Sequence, residues 1–228
     1  NTTGRESGSG AGTQTAGLIF GGSPDSDATE EYDGTNWTTT GNLNTPIYHN
    51  GGCGIQTASL NFGGYNPGTS AKSGVTEEYN GSAWTVNPNS LGTPRQTLRG
   101  CGIQTAALAI GGNANPPNAS VGNTEEYDGS SWTASGALGT ARQDGGSAGV
   151  QTNAIYFSGD IVPGSQSVLT EGYNGTSWSS LPNVASGRSQ GGSAGSAAAG
   201  LFFGGGAGGN ATEEFTGSTL QSKTITTS

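Results

Sequence analysis

Thr76-Glu77-Glu78-Tyr79-Asn80-Gly81-Ser82-Ala83-Trp84 is the stretch whose reading decides the fold, because the chain repeats it. Copies stand at Thr29-Glu30-Glu31-Tyr32 with Trp37 and at Thr124-Glu125-Glu126-Tyr127 with Trp132. Degraded copies stand at Thr170-Glu171-Gly172-Tyr173 with Trp178 and at Thr212-Glu213-Glu214-Phe215 with Leu220. The tyrosines lie 47, 48 and 46 residues apart, and Phe215 follows Tyr173 by 42. A fixed period of this length marks units that stack or close into a ring, so single residues are read through their place in the repeat.

The second copy, 47–94, shows what one unit contains. Cys53 to Ala58 reads as a first strand of small residues. Leu60-Asn61-Phe62 alternates apolar and polar as a half-buried strand does. Gly63-Gly64 ends it, and Tyr65 to Gly74 reads as loop. Val75 to Tyr79 predicts a third strand. Asn80-Gly81 predicts a tight hairpin with positive φ at both turn positions. A fourth strand opens at Trp84 and runs toward Leu91, and Thr93-Pro94-Arg95 turns into the next unit. No window shows a helical period, so the chain reads as all-β.

Four short strands per unit of this length predict a propeller blade. Five units predict a five-bladed β-propeller, four antiparallel strands per blade, as one domain over 1–228. The blades fall at about 1–46, 47–94, 95–140, 141–186 and 187–228. Each is expected from one contiguous repeat, the last strand running from Ser222 to Thr227. The ring is expected to close by packing of the first blade on the fifth, without an exchanged strand.

Leu, Ile, Val and Phe total 32 of 228 residues, a share that would suggest disorder if net charge were high. Net charge is only −9, and the apolar residues keep register between copies, so a folded chain is expected. The acidic balance excludes a nucleic-acid backbone as partner, and no apolar run is long enough for a membrane helix. The chain holds no methionine, which points to a processed chain or an excised region. Cys53 and Cys101 share one slot, filled elsewhere by Ala11, Ala148 and Ala194, so a small apolar side chain is what the slot takes. A disulfide between them would need their α-carbons within about 7 Å. With His49 as the single histidine, no zinc site and no cofactor is expected.

Each copy resembles the kelch motif, shared by kelch-repeat propellers and the propeller domain of galactose oxidase. The matching residues are an apolar strand ending in Gly-Gly, a Tyr-Asp/Asn pair, a Trp five residues after the Tyr, and an exit through Arg. The Gly pairs are Gly21-Gly22, Gly63-Gly64, Gly111-Gly112 and Gly204-Gly205, with Ser158-Gly159 as the variant. The resemblance covers essentially the whole chain and implies a propeller, although six or seven blades are commoner in that family. The near-verbatim repeats, rich in Gly, Thr, Asn and Ser, are also similar to repeat proteins of marine bacteriophage tails and other virion structural proteins.

Nine of the sixteen carboxylates are glutamates of the Thr-Glu-Glu-Tyr segment. They recur in every unit, whereas an acid and base pair needs unequal environments. They are expected on an outer, solvated strand that they keep from edge-to-edge pairing. The recurring Trp and Tyr are expected between blades as core. Basic residues are scarcer, and four of seven (Arg5, Arg95, Arg142, Arg188) occupy one equivalent turn. In a ring these turns would surround one mouth, where guanidinium groups suit carboxylate, sulfate or phosphate, unless each pairs with a carboxylate of its own blade junction. The second copy replaces the Arg by Ile47-Tyr48-His49, and Arg99 has no counterpart. The loops after Gly-Gly differ between copies, which makes Tyr65, Asn66, Asn113, Asn115, Asp160 and Gln166 candidate contacts.

The expected function is a non-enzymatic binding module on a virion or cell surface, a phage tail or host-attachment protein that recognises surface glycans. The alternative is a purely structural virion appendage whose partners are other virion or surface proteins. A third reading is a glycoside hydrolase of propeller fold. It needs an unrepeated carboxylate pair near the axis, for which Glu6, Asp144 and Asp160 are eligible.

Overall fold

A computed structural model describes residues 2, 4–24, 27–116, 118–206, 210–217 and 220–222. Among them there is no helix, and hence none long and apolar enough to cross a membrane. Each repeat folds into a four-stranded antiparallel sheet whose strands lie in chain order. In the second repeat these are Gly51–Ile55, Ala58–Phe62, Thr76–Tyr79 and Trp84–Asn87. The expected last strand, Ser222 to Thr227, is described only as far as Ser222, where Leu220–Ser222 pairs with Thr212–Phe215; positions 223–228 lie outside the described residues.

Two local readings are corrected. The first strand starts two and ends three residues earlier than expected, because Gln56-Thr57 is the turn that joins it to the second. Its side chain is not idle: Gln56 Nε2 donates to the Tyr32 carbonyl of the preceding repeat at 2.7 Å. The hairpin after Tyr79 is also wider than a two-residue turn. Tyr79 pairs with Trp84 across four residues, and Gly81 alone is left-handed, at φ 93°. Asn80 instead accepts the N–H groups of Ser82 and Ala83 on its Oδ1, both at 3.0 Å.

Among the described residues there are eight sheets of two to four strands where five were expected, and none of them closes on itself. The five larger ones are the repeats. The other three come from the segments expected as loops after Gly-Gly, joined in one case by Arg95–Gln96 of the exit turn. Tyr65–Asn66 pairs with Ala71–Lys72, Asp160–Val162 pairs with Ser165–Gln166, and Arg95–Gln96, Asn113–Ala114 and Ala119–Ser120 form a three-stranded sheet. Every ladder stays within one repeat.

What joins the repeats is packing plus single hydrogen bonds. Four core clusters each straddle two consecutive repeats, as Leu18, Phe20, Ile47, Tyr79 and Trp84 show at the first junction. The recurring segment supplies the polar stitches. Trp84, Trp132 and Trp178 donate Nε1–H to Thr29, Thr76 and Thr124 of the preceding repeat at 3.0, 2.8 and 2.9 Å. The hydroxyls of Tyr79, Tyr127 and Tyr173 donate to Glu31, Glu78 and Glu126 of the preceding repeat. Burial and the facing carboxylate push the Tyr79 and Tyr173 hydroxyls up to about 12.

The first strands of successive sheets pack side by side. They must be made of small residues, because they approach closely. A Cβ on Gly100 would meet the Phe62 ring at 2.4 Å, and one on Gly52 would meet the Phe20 ring at 2.6 Å. The Cys slot lies in this layer. Cys53 and Cys101 are both buried and free, and burial pushes both thiols up.

Candidate functional site

The four equivalent arginines do not converge on a mouth. Each is buried and closes an ion pair with the first glutamate of its own repeat's recurring segment. The pairs are Arg5 with Glu30, Arg95 with Glu125, Arg142 with Glu171 at 2.6 Å, and Arg188 with Glu213 at 2.7 Å. The rest of each guanidinium faces main-chain carbonyls, for Arg95 those of Gly111 at 2.8 Å and Thr93 at 3.0 Å. Arg5 Nε and Arg188 Nε are buried without a partner, but none of the four arginines borders the central cavity described below. These glutamates are likewise not on a solvated outer strand: the third strand is internal to its sheet, and Glu30 and Glu77 are fully buried.

The second repeat solves the same problem without the arginine. Ile47 fills the space, and Glu77 accepts three N–H bonds, from the Asn44 backbone at 2.8 Å, Asn44 Nδ2 at 2.9 Å and the Thr45 backbone at 2.8 Å.

Two residues beyond the arginine position lies a column that behaves in the opposite way. Ser7, His49, Thr97, Asp144 and Gln190 all adopt left-handed backbone, with φ of 60°, 56°, 54°, 55° and 62°. Left-handed φ in a non-glycine residue is uncommon and strained, most so for a β-branched one such as Thr97. The conformation is held by a relay across the junctions. The N–H of His49 donates to Ser7 O at 2.7 Å, Thr97 to His49 O at 2.8 Å, Asp144 to Thr97 O at 2.9 Å, and Gln190 to Asp144 O at 2.8 Å. The five side chains, all hydrogen-bonding and no two alike, border one central cavity of about 500 Å³. Each repeat contributes to it, and Glu6 and Arg99 complete its charged wall.

The electrostatics of this cavity are mixed. Arg99 Nη2 stands 4.0 Å from Asp144 Oδ1, and its Nε–H donates to the Gly145 carbonyl. Burial pushes the Asp144 carboxyl up, with Arg99 and His49 opposing. Burial pulls the His49 imidazole down, with Asp144 opposing, so His49 is neutral above its lowered value and offers one donor and one acceptor. Deeper in, Gly8, Gly52, Gly100 and Gly192 line a narrower continuation.

The remaining expected contacts scatter. Tyr48 packs between His49, edge-on, and Tyr65, tilted, with ring centroids 5.1 and 5.2 Å away. Tyr65 and Asn115 border a second cavity, between the second and third repeats. Asn66 caps its own hairpin, its Oδ1 accepting the Gly68 N–H at 2.8 Å. Asn113 is buried and takes a hydrogen bond from Lys72. Asp160 is buried and bridged to Gln143, and Gln166 is half-buried on the hairpin opposite it. Thus His49 and Arg99 are the expected contacts that the fold brings to the central cavity. Ser7, Thr97 and Gln190 were missed. The signal for them was present: counting two residues on from the repeated Arg gives a column where the copies disagree. Among the described residues no group of three or more His, Cys, Asp or Glu is placed to hold a metal.

No family model matches the chain, and no curated protein matches it. Its fold is similar to the solved structure of YjhT, with a TM-score of 0.75 over 89% of this chain and 73% of that one. At 15% identity the likeness is one of fold.

Proposed function

We propose that the five larger sheets are the blades of a five-bladed propeller of kelch-type repeats, each blade from one contiguous repeat. We further propose that the chain is a non-enzymatic carbohydrate-binding module displayed on a virion or cell surface, with its ligand in the central cavity. One observation carries this reading: five unlike hydrogen-bonding side chains hold the same strained position around one cavity, in a chain whose framework otherwise repeats. Strain kept in five places, with five different side chains, points to what the side chains face rather than to the framework. Donors and acceptors of both charge signs suit the hydroxyls of a saccharide. The repeat texture supports the surface placement. A glycan array with the wild type and a His49→Ala/Asp144→Ala variant tests the reading. Binding that the double variant loses supports it; no glycan bound at any density sinks it.

A hydrolase is the second reading, favoured by Glu6 and Asp144 bordering the same cavity in unequal environments, one exposed and one buried with its carboxyl pushed up. Release of reducing ends from a bound glycan, lost in Asp144→Asn, would replace the first reading by this one.

A further inference from the structure

The geometry points to a second ligand site, off the central cavity, that takes a sulfated saccharide between the second and third repeats. The site is a cavity of about 570 Å³. One wall is the hairpin carrying Tyr65 and Lys72, the floor is Pro94 and Gln96, and the facing wall carries Asn115 and Asn118. Three features select the ligand. In a chain of net charge −9, no carboxylate among the described residues borders this cavity, while Lys72 does. An anionic group is therefore attracted here although the protein as a whole repels it. Tyr65 offers an aromatic ring, held in place by its contact with the Tyr48 ring, and the ring can cover the apolar face of a sugar. Gln96, Asn115 and Asn118 supply neutral donors and acceptors for hydroxyls.

Lys72 has a defined resting state. Its ammonium donates to Asn113 Oδ1, to the Ala114 carbonyl at 2.9 Å and to Asn118 Oδ1 at 2.6 Å. Asn113 and Ala114 are buried, whereas Asn118 is exposed. Asn118 is thus the partner that a ligand oxygen displaces, and the two buried oxygens keep the ammonium aimed at the cavity. Burial pulls the Lys72 pKa down, so its charge is incompletely solvated and gains from an anion. Nothing in the repeating framework requires Lys72, for no other copy holds a lysine there. The site stands apart from the central cavity and does not depend on what binds there.

The probes are dextran sulfate, unsulfated dextran and inorganic sulfate, titrated calorimetrically at low salt. Dextran sulfate is expected to bind, with dextran at least about tenfold weaker, and Lys72→Gln is expected to lose about tenfold or more, as for a charged hydrogen bond. Tyr65→Ala should weaken the polymer but not inorganic sulfate, which separates a saccharide from a bare anion. Asn115→Lys, a change at an exposed position, should tighten dextran sulfate several-fold and keeps the test decisive if the Lys72 variant fails to fold. Equal affinity for dextran and its sulfate overturns the proposal. So does retention in Lys72→Gln with loss in Arg99→Gln, which would put the anion in the central cavity, and so does an Asn115→Lys variant no tighter than wild type.

Discussion

Arg142 and Asp144 stand two residues apart, and their columns differ in kind. At the first, four repeats carry arginine, each buried on a glutamate. At the second, five repeats carry five different residues in one strained conformation around a shared cavity. Repetition marks what a unit needs in order to fold. Variation at a fixed, costly geometry marks what the assembled units present.

The hardest break of the comparison is at the ion pair. Arg142→Ala leaves Glu171 buried with the Gly139 N–H, at 2.7 Å, as its remaining bond. The expected loss is about 3–5 kcal/mol in denaturant unfolding. A loss under about 1 kcal/mol would mean that the column is not the framework. The second repeat suggests the rescue. Arg142→Ile with Gly139→Asn rebuilds the Ile47, Asn44 and Glu77 arrangement, and should be more stable than Arg142→Ile alone.

Next come the stitches between repeats. Tyr127→Phe removes the hydroxyl that donates to Glu78, which keeps Asn87 Nδ2 at 3.0 Å. About 1–2 kcal/mol of stability should go, measured by the same unfolding experiment. The chain contains its own control at the last junction. Phe215 has no hydroxyl, and the fourth repeat has Gly172 where the acceptor glutamate would be. Donor and acceptor are lost together, as expected of the two ends of one bond.

That pairing shows how the sequence can be read and where it fails. The period, the strand order and the role of the Trp–Tyr core were legible, because a residue needed in every unit recurs in every unit. The partner of a repeated residue was not legible by the same rule. Arg142 and Glu171 are 29 residues apart on different elements: a carboxylate partner at the blade junction was one of the two readings of the arginines, but the glutamates looked like surface charge until the third strand proved internal. The hairpins after Gly-Gly escaped for another reason. Tyr65–Asn66 and Ala71–Lys72 are two residues each, too short for any alternation to show. The left-handed column escaped because backbone strain leaves no mark in composition, and the non-glycine residues there looked like ordinary turn residues.

The variable column should answer mutation in the opposite sense. Thr97→Gly removes a β-branched residue from φ 54° while keeping the N–H that donates to His49 O. Stability is expected to rise by about 1 kcal/mol, while affinity for a central-cavity ligand falls. A destabilised Thr97→Gly protein with unchanged affinity would put Thr97 in the framework and dissolve the contrast between the columns.

The smallest effect compares two versions of one turn. Asp128 and Asn80 occupy equivalent hairpins, and each accepts two backbone N–H groups on Oδ1. The N–H of Ser131 and then the Ser130 hydroxyl pull the Asp128 carboxyl down to about 2. A folded-state value below the unfolded one, about 3.8, contributes stability that is present above pH 3.8 and lost as pH falls through 2. Asn at this position keeps the acceptor and does not titrate. Asp128→Asn should therefore unfold like the wild type at pH 7 and lose less of its stability between pH 4 and 2. Glu30 remains as a second acid-sensitive group in both proteins: burial alone would raise its carboxyl, but Thr2 and Arg5 together hold it below its usual value. The acid limb should thus shrink without vanishing, and an unchanged limb would show that the turn holds equally well with its carboxyl protonated.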